Sequence, residues 1–489
     1  MRRSAFVFLF FLSLAFPSLA AAQHAIASAS AESDVAAVMQ GLSFPVEIAD
    51  RESAGEPIGE RLDFHRVPGV AVAVVREGEL RWARGFGVKE AGSPDSIRAE
   101  TLFQGASISK PVTALVALRL VEEGVLGLDR PVNESLTSWR IPENEFTVGH
   151  PVTLRQLLSH SAGTTNAAVG IYGPEERRPT LLEALNGTPP SKVSPVRVDF
   201  EPGTRARYSG GGYSVIQQLV VDVTGEPFAQ AARRLVLDPL GMRESGFHQP
   251  LPDSLAWAVS TGHGGDGQPI PGRWWTLPEM AAGGLWSTAP DLARLAIGLV
   301  SAWREEEGAL LAPQLAREMM RDQIDGFGLG LMVDRPGGEL RLTHTGSNDG
   351  YRAIVVVYPE RGDAIAVMTN GDRGDALRDE IVRAAAREHG WPGYEPTVRR
   401  VAEVDQETLS SLVGTYDYGG GYRTVITLEE GRLWARLGDG PAWELFPETE
   451  SRFFSLGGAT YTFVRDSAGT VTGVEADVGA GRPFEGRKT

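Results

Sequence analysis

The spacing of apolar residues changes along this chain, and each spacing predicts a different kind of element. An unbroken apolar run at 69–75 is typical of a buried strand, and a turn at 76–79 joins it to a second strand at 80–88. From 107 to 123 the apolar residues recur on one face of a helix, and Gly124 follows as a stop signal. Similar helical spacing predicts three more helices, at 153–160, 213–223 and 291–303.

Alternating apolar and polar positions return in the next part of the chain. They predict strands at 338–344, 351–358 and 363–370, and the last two strands are joined by the short turn 359–362. Short turns of this kind join antiparallel strands. A helix at 374–388 follows them.

Pro392, Gly393 and Pro396 interrupt this periodicity, and the chain then changes character. Beyond them the apolar runs are short, evenly spaced and separated by glycine turns, which predicts an antiparallel β-meander forming a small barrel or a sandwich. The predicted runs are 422–428, 432–437, 443–446, 452–456, 461–464 and 470–476. We therefore predict one domain at 23–395 and a C-terminal all-β domain at 396–489.

The N-terminus has the pattern of an export signal. Arg2 and Arg3 precede an apolar run at 5–16, and small residues follow at 20–22. We expect residues 1–22 to be a signal peptide cleaved near Ala22, which would send the protein to the periplasm or outside the cell. The apolar run is shorter than the roughly 20 residues of a membrane-spanning helix, although an uncleaved anchor stays an alternative.

Composition narrows the classes of function. The chain of 489 residues carries 47 basic and 63 acidic side chains, a formal net charge of −16, which argues against nucleic acid or an anionic membrane as a partner. It has no cysteine, so thiol catalysis, disulfides and thiolate metal sites are excluded. Its histidines lack the spacing of zinc ligands, and we expect no metal.

A serine and a lysine three residues apart, Ser107 and Lys110, begin the first long predicted helix. Positions i and i+3 share a helix face, so the amine can reach the hydroxyl and act as the base that a serine nucleophile needs. Lysine is rare here, with only Lys89, Lys192 and Lys488 besides Lys110. Taken alone, however, a Ser-x-x-Lys pattern arises easily by chance.

Two further motifs strengthen this signal. Tyr208-Ser209-Gly210 precedes a predicted helix, and His344-Thr345-Gly346-Ser347 ends a predicted strand. With Ser107-x-x-Lys110, their order and spacing resemble the class C β-lactamase family, which includes D,D-carboxypeptidases, D-aminopeptidases and carboxylesterases. Supporting segments are 153–163, 200–203, 238–242, 282–288 and 367–370, so the resemblance covers about 60–385. It implies an α/β (α+β) fold of the β-lactamase/transpeptidase type: an antiparallel sheet of five or more strands, flanking helices and an all-α lobe.

The resemblance also implies roles for individual residues. Ser107 would form an acyl-enzyme, and Lys110 and Tyr208 would share the proton transfers. Either burial lowers the pKa of Lys110, or Lys110 stays charged and favours a Tyr208 phenolate. The backbone N–H groups of Ser107 and Ser347 would form an oxyanion hole, within a substrate-binding segment that includes Thr345 and Gly346. His344 stands where many members have lysine, and would place a substrate carboxylate or the Tyr208 hydroxyl.

Gly210 departs from the family pattern, because many members have an asparagine there that contacts the substrate amide. This departure and His344 favour an ester or a D-amino-acid amide or peptide over a β-lactam. Two alternatives stay open: a β-lactamase, or a non-hydrolysing penicillin-binding or peptidoglycan-sensing protein. No cofactor is implied, the expected partner is a small-molecule substrate, and the oligomeric state is undetermined.

Three other side chains have a structural and a functional interpretation. We expect His160 to pack beside the site rather than to react. Trp274 and Trp275 either line an acyl pocket or pack in the core.

Overall fold

The computed structural model describes residues 30–51, 55–166, 169–479 and 482–489. The predicted signal peptide, 1–22, lies outside these ranges. The helices are α1 (30–39), α2 (Ile58–His65), α3 (Ser109–Glu122), α4 (Leu154–Leu158), α5 (Leu181–Asn186), α6 (Gly210–Thr224), α7 (Phe228–Ala232), α8 (Met280–Gly283), α9 (Ala289–Trp303), α10 (Pro313–Met320), α11 (Gly374–His389) and α12 (Gln406–Leu412). None of the helices in the described ranges is long and apolar enough to cross a membrane.

The strands form a central sheet, a barrel and two short pairs. They are β1 (Val46–Ile48), β2 (Gly69–Arg76), β3 (Glu79–Gly87), β4 (Phe103–Ala106), β5 (Leu285–Ser287), β6 (Met332–Asp334), β7 (Arg341–Asn348), β8 (Tyr351–Tyr358), β9 (Asp363–Thr369), β10 (Thr397–Arg399), β11 (Gly414–Asp417), β12 (Arg423–Glu429), β13 (Arg432–Leu437), β14 (Ala442–Pro447), β15 (Arg452–Phe454), β16 (Thr460–Arg465), β17 (Val471–Asp477) and β18 (Phe484–Lys488).

The central sheet has six antiparallel strands in the order β3-β2-β9-β8-β7-β6. Alternate residues of β2 point to opposite faces, and both sets are buried. Val70, Val72 and Val74 pack in one cluster with α1, α2 and α11, whereas Ala71 and Ala73 pack in another with α3 and α9. A strand buried on both faces is apolar without interruption, which explains the run at 69–75. The predicted antiparallel sheet with flanking helices is confirmed.

The all-α lobe beside the sheet is also present, with α3 at its centre. Residues 109–118 of α3 are all buried, because α6, α7 and α8 pack around it. Helix α6 begins at Gly210, three residues before the predicted start. The apolar pattern does not reveal this start, because residues 210–212 are glycines without side chains. The start is set by Ser209, whose side chain caps the helix by accepting from the N–H of Gly212 at 2.9 Å.

Strand β7 differs most from its prediction. It was expected at 338–344, but it starts after the left-handed turn at Gly338 (φ +89°) and continues to Asn348. All of residues 342–348 pair with β8. The motif His344–Ser347 therefore lies in the last part of β7, just before the hairpin as predicted, but the strand itself is four residues longer than expected at this end.

The C-terminal segment is a closed antiparallel barrel, β11 to β18. The barrel is confirmed over the sandwich, and all six predicted runs correspond to strands. The strands that sequence missed, β11 and β18, pair with each other and close the barrel. One end is filled by α12, whose Leu409 and Leu412 lie in the barrel core. Strand β10, just before the barrel, pairs in parallel with β1. The division of the chain at 395/396 stays a prediction.

Candidate active site

Ser107 lies in a tight turn between β4 and α3. Ala106, directly before it, has a positive φ of 47°, which is uncommon for a residue with a Cβ. The Ser109 hydroxyl holds this turn, since it donates to the Ala106 carbonyl at 2.6 Å and accepts from the Leu285 N–H at 2.9 Å. The turn thus fixes Ser107 at the start of α3, where N–H groups and the helix dipole favour negative charge.

Lys110 lies one helical turn further on and is almost completely buried, with 2% of its surface exposed. Its Nζ is 3.1 Å from the Ser107 Oγ and donates to the Ala282 carbonyl at 2.6 Å. Burial lowers the pKa of Lys110 to about 7. Around neutral pH a large fraction of this amine is therefore uncharged and has a lone pair available for the Ser107 proton.

Tyr208 approaches the same pair from the segment before α6. Its ring lies 4.8 Å from the Lys110 Nζ. Burial raises the pKa of Tyr208 to about 12, while a hydrogen bond with Ser107 acts in the opposite direction. The phenol is therefore protonated at neutral pH, beside a lysine that is partly deprotonated.

His160 supports Tyr208 from the side, as predicted for a packing residue. Its ring centroid is 4.4 Å from that of Tyr208, and its Nδ1 accepts from the backbone N–H of Ser209 at 3.1 Å. Burial, together with the nearby charge of Lys110, lowers the pKa of His160 well below its usual value. The imidazole is thus neutral and serves as an acceptor that orients the segment carrying Tyr208.

His344 faces the site from β7. Burial first, and then the charge of Lys110, lowers the pKa of His344 to about 3. Its Nδ1 is 2.7 Å from the Thr345 carbonyl oxygen, so the neutral ring carries its proton on Nδ1 and leaves Nε2 as an acceptor. The expectation that His344 places a substrate carboxylate does not fit, because a neutral ring with Nε2 unprotonated offers neither charge nor donor. A contact from Nε2 to the Tyr208 hydroxyl fits this tautomer, and the two ring centroids are 6.3 Å apart.

The remaining residues of this motif alternate between the two sides of β7. The side chains of Thr345 and Ser347 are exposed, whereas His344 and Gly346 lie on the opposite, buried side of β7. Strand β6 pairs with β7 only as far as Thr343. Because β7 and β8 are joined by a two-residue turn, the ladder alternation directs the Ser347 N–H away from β8, towards the edge that β6 leaves uncovered.

Gly346 is where β7 meets the turn that carries Ser107. A Cβ at this position would clash with the Gly105 carbonyl oxygen of β4. The lack of a side chain therefore lets the two backbones approach, and brings the segment ending in Ser347 next to Ser107. Gly210, at the start of α6, is buried, and its carbonyl accepts from the Ser214 hydroxyl at 3.2 Å.

Sequence reasoning missed several supporting groups. The Ala282 carbonyl holds the Lys110 amine in place, and the Ser109 hydroxyl holds the turn that carries Ser107. The buried Asn348 donates through Nδ2 to Gln104 Oε1 at 3.2 Å, and Gln104 donates to the Trp275 carbonyl at 2.5 Å. The period of two along β7 puts Asn348 on the same face as His344, but the predicted strand ended at 344, so the sequence pattern did not reveal this position.

Trp274 packs edge-on against Trp286, with ring centroids 6.1 Å apart, which favours the core-packing interpretation of this residue. Within the described ranges, no three His, Asp or Glu side chains lie close enough together to hold a metal ion.

The family model described as Beta-lactamase matches residues 57–389, which include the helical lobe and the central sheet. Penicillin-binding protein 4 of Amycolatopsis lactamdurans is 27% identical over 376 residues, or 73% of this chain and 95% of that protein. Esterase EstB of Burkholderia gladioli is 35% identical over 227 residues, or 44% of this chain and 54% of the esterase.

Solved structures extend the likeness in fold. The octameric penicillin-binding protein homologue from Pyrococcus abyssi has a TM-score of 0.60 and 24% sequence identity, and the superposition covers 88% of this chain and 98% of that one. The shared fold thus reaches beyond the residues that the family model matches.

Proposed function

Because this chain belongs to the Beta-lactamase family and is a serine hydrolase, we propose that Ser107 is its nucleophile and that it hydrolyses an ester or a D-amino-acid amide. The observation that carries the proposal is the buried Lys110, whose amine lies 3.1 Å from the Ser107 hydroxyl and has a pKa of about 7. A buried lysine without a carboxylate partner lowers stability, so its place beside a serine is best explained by catalysis.

The proton transfers follow from the two pKa values. The neutral Lys110 amine takes the proton of Ser107 as its Oγ attacks the substrate carbonyl carbon. Tyr208, with its pKa near 12, stays protonated and donates to the leaving alkoxide or amine. Water then attacks the acyl carbonyl carbon and gives a proton to the Tyr208 phenolate. The bond between the acyl carbon and the Ser107 Oγ breaks, the acid leaves, and the protonated Lys110 returns its proton to Ser107.

We assign the oxyanion hole to the backbone N–H groups of Ser107 and Ser347. The Ser347 N–H is directed to the uncovered edge of β7, and Gly346 brings that edge next to the turn of Ser107. A donor placed where charge develops is worth about 10²–10³ in rate.

The substrate class follows from Gly210 and His344. Gly210 has no side chain to contact an acylamino group, and the neutral His344 provides no positive charge for a carboxylate. Penicillins and D,D-peptides carry both an acylamino group and a carboxylate, whereas a simple ester carries neither. The alignment with EstB, an esterase, agrees with this choice. A β-lactamase is therefore the second candidate. A non-hydrolysing sensor is disfavoured, because it would not need a lysine with a lowered pKa.

We also propose that residues 1–22 direct the protein to the periplasm or outside the cell. The positive residues, the apolar run and the small residues before Gln23 support this proposal.

The test compares hydrolysis of p-nitrophenyl butyrate and nitrocefin by the purified protein. We expect kcat/KM for the ester to exceed that for nitrocefin by at least about tenfold, which is about 1.4 kcal/mol. Ser107→Ala should abolish both activities and covalent labelling by a fluorophosphonate. Ser301→Ala, on helix α9, is the matched control and should change neither. Labelling of the Ser107→Ala variant, or a preference for nitrocefin, would refute the proposal.

A further inference from the structure

A cavity of about 940 Å³ lies where the barrel meets helices α2 and α11. Inward-facing barrel residues such as Tyr418, Trp443 and Tyr461 form one wall, and Arg61 of α2 and Glu380 of α11 lie in the opposite wall. The volume is within the range of about 300–1,000 Å³ that is typical of small-molecule sites.

The two ends of the barrel differ. At one end, Leu409 and Leu412 of α12 pack against Ile426 and Phe463 and fill the interior. The other end holds the cavity. An eight-stranded barrel is just wide enough either to be filled by its own side chains or to hold one small ligand. In this barrel, side chains fill the interior at one end, and the other end has room for a small ligand.

The lining of the cavity is apolar and partly open to solvent. Nine of its 24 lining residues are aromatic. Four large apolar side chains of the lining are strongly exposed: Tyr422 (68%), Val478 (53%), Phe484 (51%) and Leu437 (44%). Such a concentration of exposed apolar groups around one opening is typical of a binding site.

The charges in the lining select against an anion. Arg61 is the one Arg or Lys among the lining residues, and it already donates to Glu380 at 2.7 and 2.9 Å and to Glu56 at 2.8 Å. A third carboxylate, Glu444, lines the barrel side. The lining therefore holds three carboxylates and one guanidinium, and Glu444 also lies 3.7 Å from the guanidinium of Arg432, which is not a lining residue. Among the lining residues, a carboxylate or sulfonate on a ligand would find only this guanidinium of Arg61, which is already bonded to two carboxylates.

The cavity is separate from the proposed catalytic residues. Helices α2 and α11 cover the face of the sheet formed by Val70, Val72 and Val74, whereas α3, which follows Ser107, packs on the opposite face. A molecule in the cavity therefore has the sheet between itself and Ser107. We propose that the cavity binds an apolar small molecule that carries no negative charge, and that this molecule is not the substrate.

The test uses two dyes with the same aromatic skeleton. N-phenyl-1-naphthylamine is uncharged, and 8-anilino-1-naphthalenesulfonate carries a sulfonate. We expect the purified protein to bind one molecule of N-phenyl-1-naphthylamine, with a saturable rise in fluorescence. Its affinity for this uncharged dye should be at least about tenfold higher than its affinity for the sulfonate. Glu56→Gln and Glu444→Gln should strengthen sulfonate binding severalfold and leave the uncharged dye unchanged.

Filling the cavity locates the site. Ala376 is exposed on α11 and Ala442 lies on β14, and both line the cavity. Ala376→Trp and Ala442→Trp should each weaken binding of the uncharged dye by at least about tenfold. Ala37→Trp, at an exposed position of α1 outside the lining, should have no effect. Thermal unfolding of each variant shows whether it is folded.

Three results would overturn the proposal. They are no saturable binding of the uncharged dye, equal binding of both dyes, or binding that survives both tryptophan substitutions in the lining.

Discussion

The chemistry proposed for this protein depends on two residues whose pKa values move in opposite directions for the same reason. Burial disfavours the charged form of any group, so it lowers the pKa of Lys110 to about 7 and raises that of Tyr208 to about 12. At pH 7 only about 10⁻⁵ of the tyrosine would be phenolate, whereas about half of the lysine would be neutral. Of the two alternatives that the sequence left open, the neutral lysine base is the one that these values favour.

Replacing Lys110 with arginine separates the two alternatives, because arginine keeps the charge but does not deprotonate. We expect Lys110→Arg to lower kcat/KM for p-nitrophenyl butyrate by about 10²–10⁴ at every pH up to 10. In the native protein, kcat/KM should rise with pH through about 7, as the neutral amine forms, and then level off. Lys192→Ala, which removes an exposed lysine paired with Glu176, is the control and should leave the profile unchanged.

The same pKa gives a stability trend. The ordinary lysine pKa is about 10.4, so between pH 7 and about 10.4 the unfolded chain binds a proton at Lys110 that the folded chain does not. The contribution of Lys110 to the free energy of unfolding therefore rises with pH across this window.

For the activity prediction, a Lys110→Arg variant that keeps full activity would show that the charged form of residue 110 is the active one.

At the scale of elements, the site depends on the approach of β7 to the β4–α3 turn. Gly346 is buried against the Gly105 carbonyl, and the strand edge that follows it carries the Ser347 N–H. A shift of this strand by a fraction of an ångström would move one proposed oxyanion donor while leaving Ser107 and Lys110 in place.

Gly346→Ala should therefore affect activity more than folding. We expect kcat to fall by about 10²-fold or more through displacement of β7, with a loss of about 1–3 kcal/mol in the free energy of unfolding. Gly59→Ala, within α2 where a Cβ meets no atom within 4 Å, should keep full activity and slightly raise stability. Ester hydrolysis and thermal unfolding measure the two effects. Wild-type kcat in a folded Gly346→Ala variant would contradict the role given to β7.

For the whole molecule, the question is what the barrel contributes to the hydrolase. The proposed catalytic residues all precede β8, and the cavity at the barrel end lies across the sheet from them. The barrel is nevertheless packed on the rest of the chain, since Val46 of β1 shares a cluster with Phe446 and Phe454. The backbone N–H of Ala402 also donates to the Pro447 carbonyl at 2.9 Å.

Ending the chain after residue 402 keeps the β1–β10 pair and removes the barrel. We expect the truncated protein to retain kcat/KM for the ester within a factor of about three, less than 1 kcal/mol of transition-state stabilisation. Its melting temperature should fall, because Val46 and Phe44 lose their apolar cover. Kinetics, thermal unfolding and size-exclusion chromatography follow these effects. A folded truncated protein that has lost ester hydrolysis would mean that the barrel contributes to the active site.

The sequence by itself determined the elements and the three motifs. Apolar periodicity is a local property, so it located four of the six sheet strands (β2, β3, β8 and β9), the main helices and six strands of the barrel. It also placed Ser107 within reach of Lys110, although α3 begins at Ser109, two residues after the serine. Only the tertiary structure decided the protonation states, because desolvation of Lys110, Tyr208 and His344 comes from residues distant in the chain. The Ala282 carbonyl, the approach at Gly346 and the cavity under the barrel likewise form only when separate segments pack together.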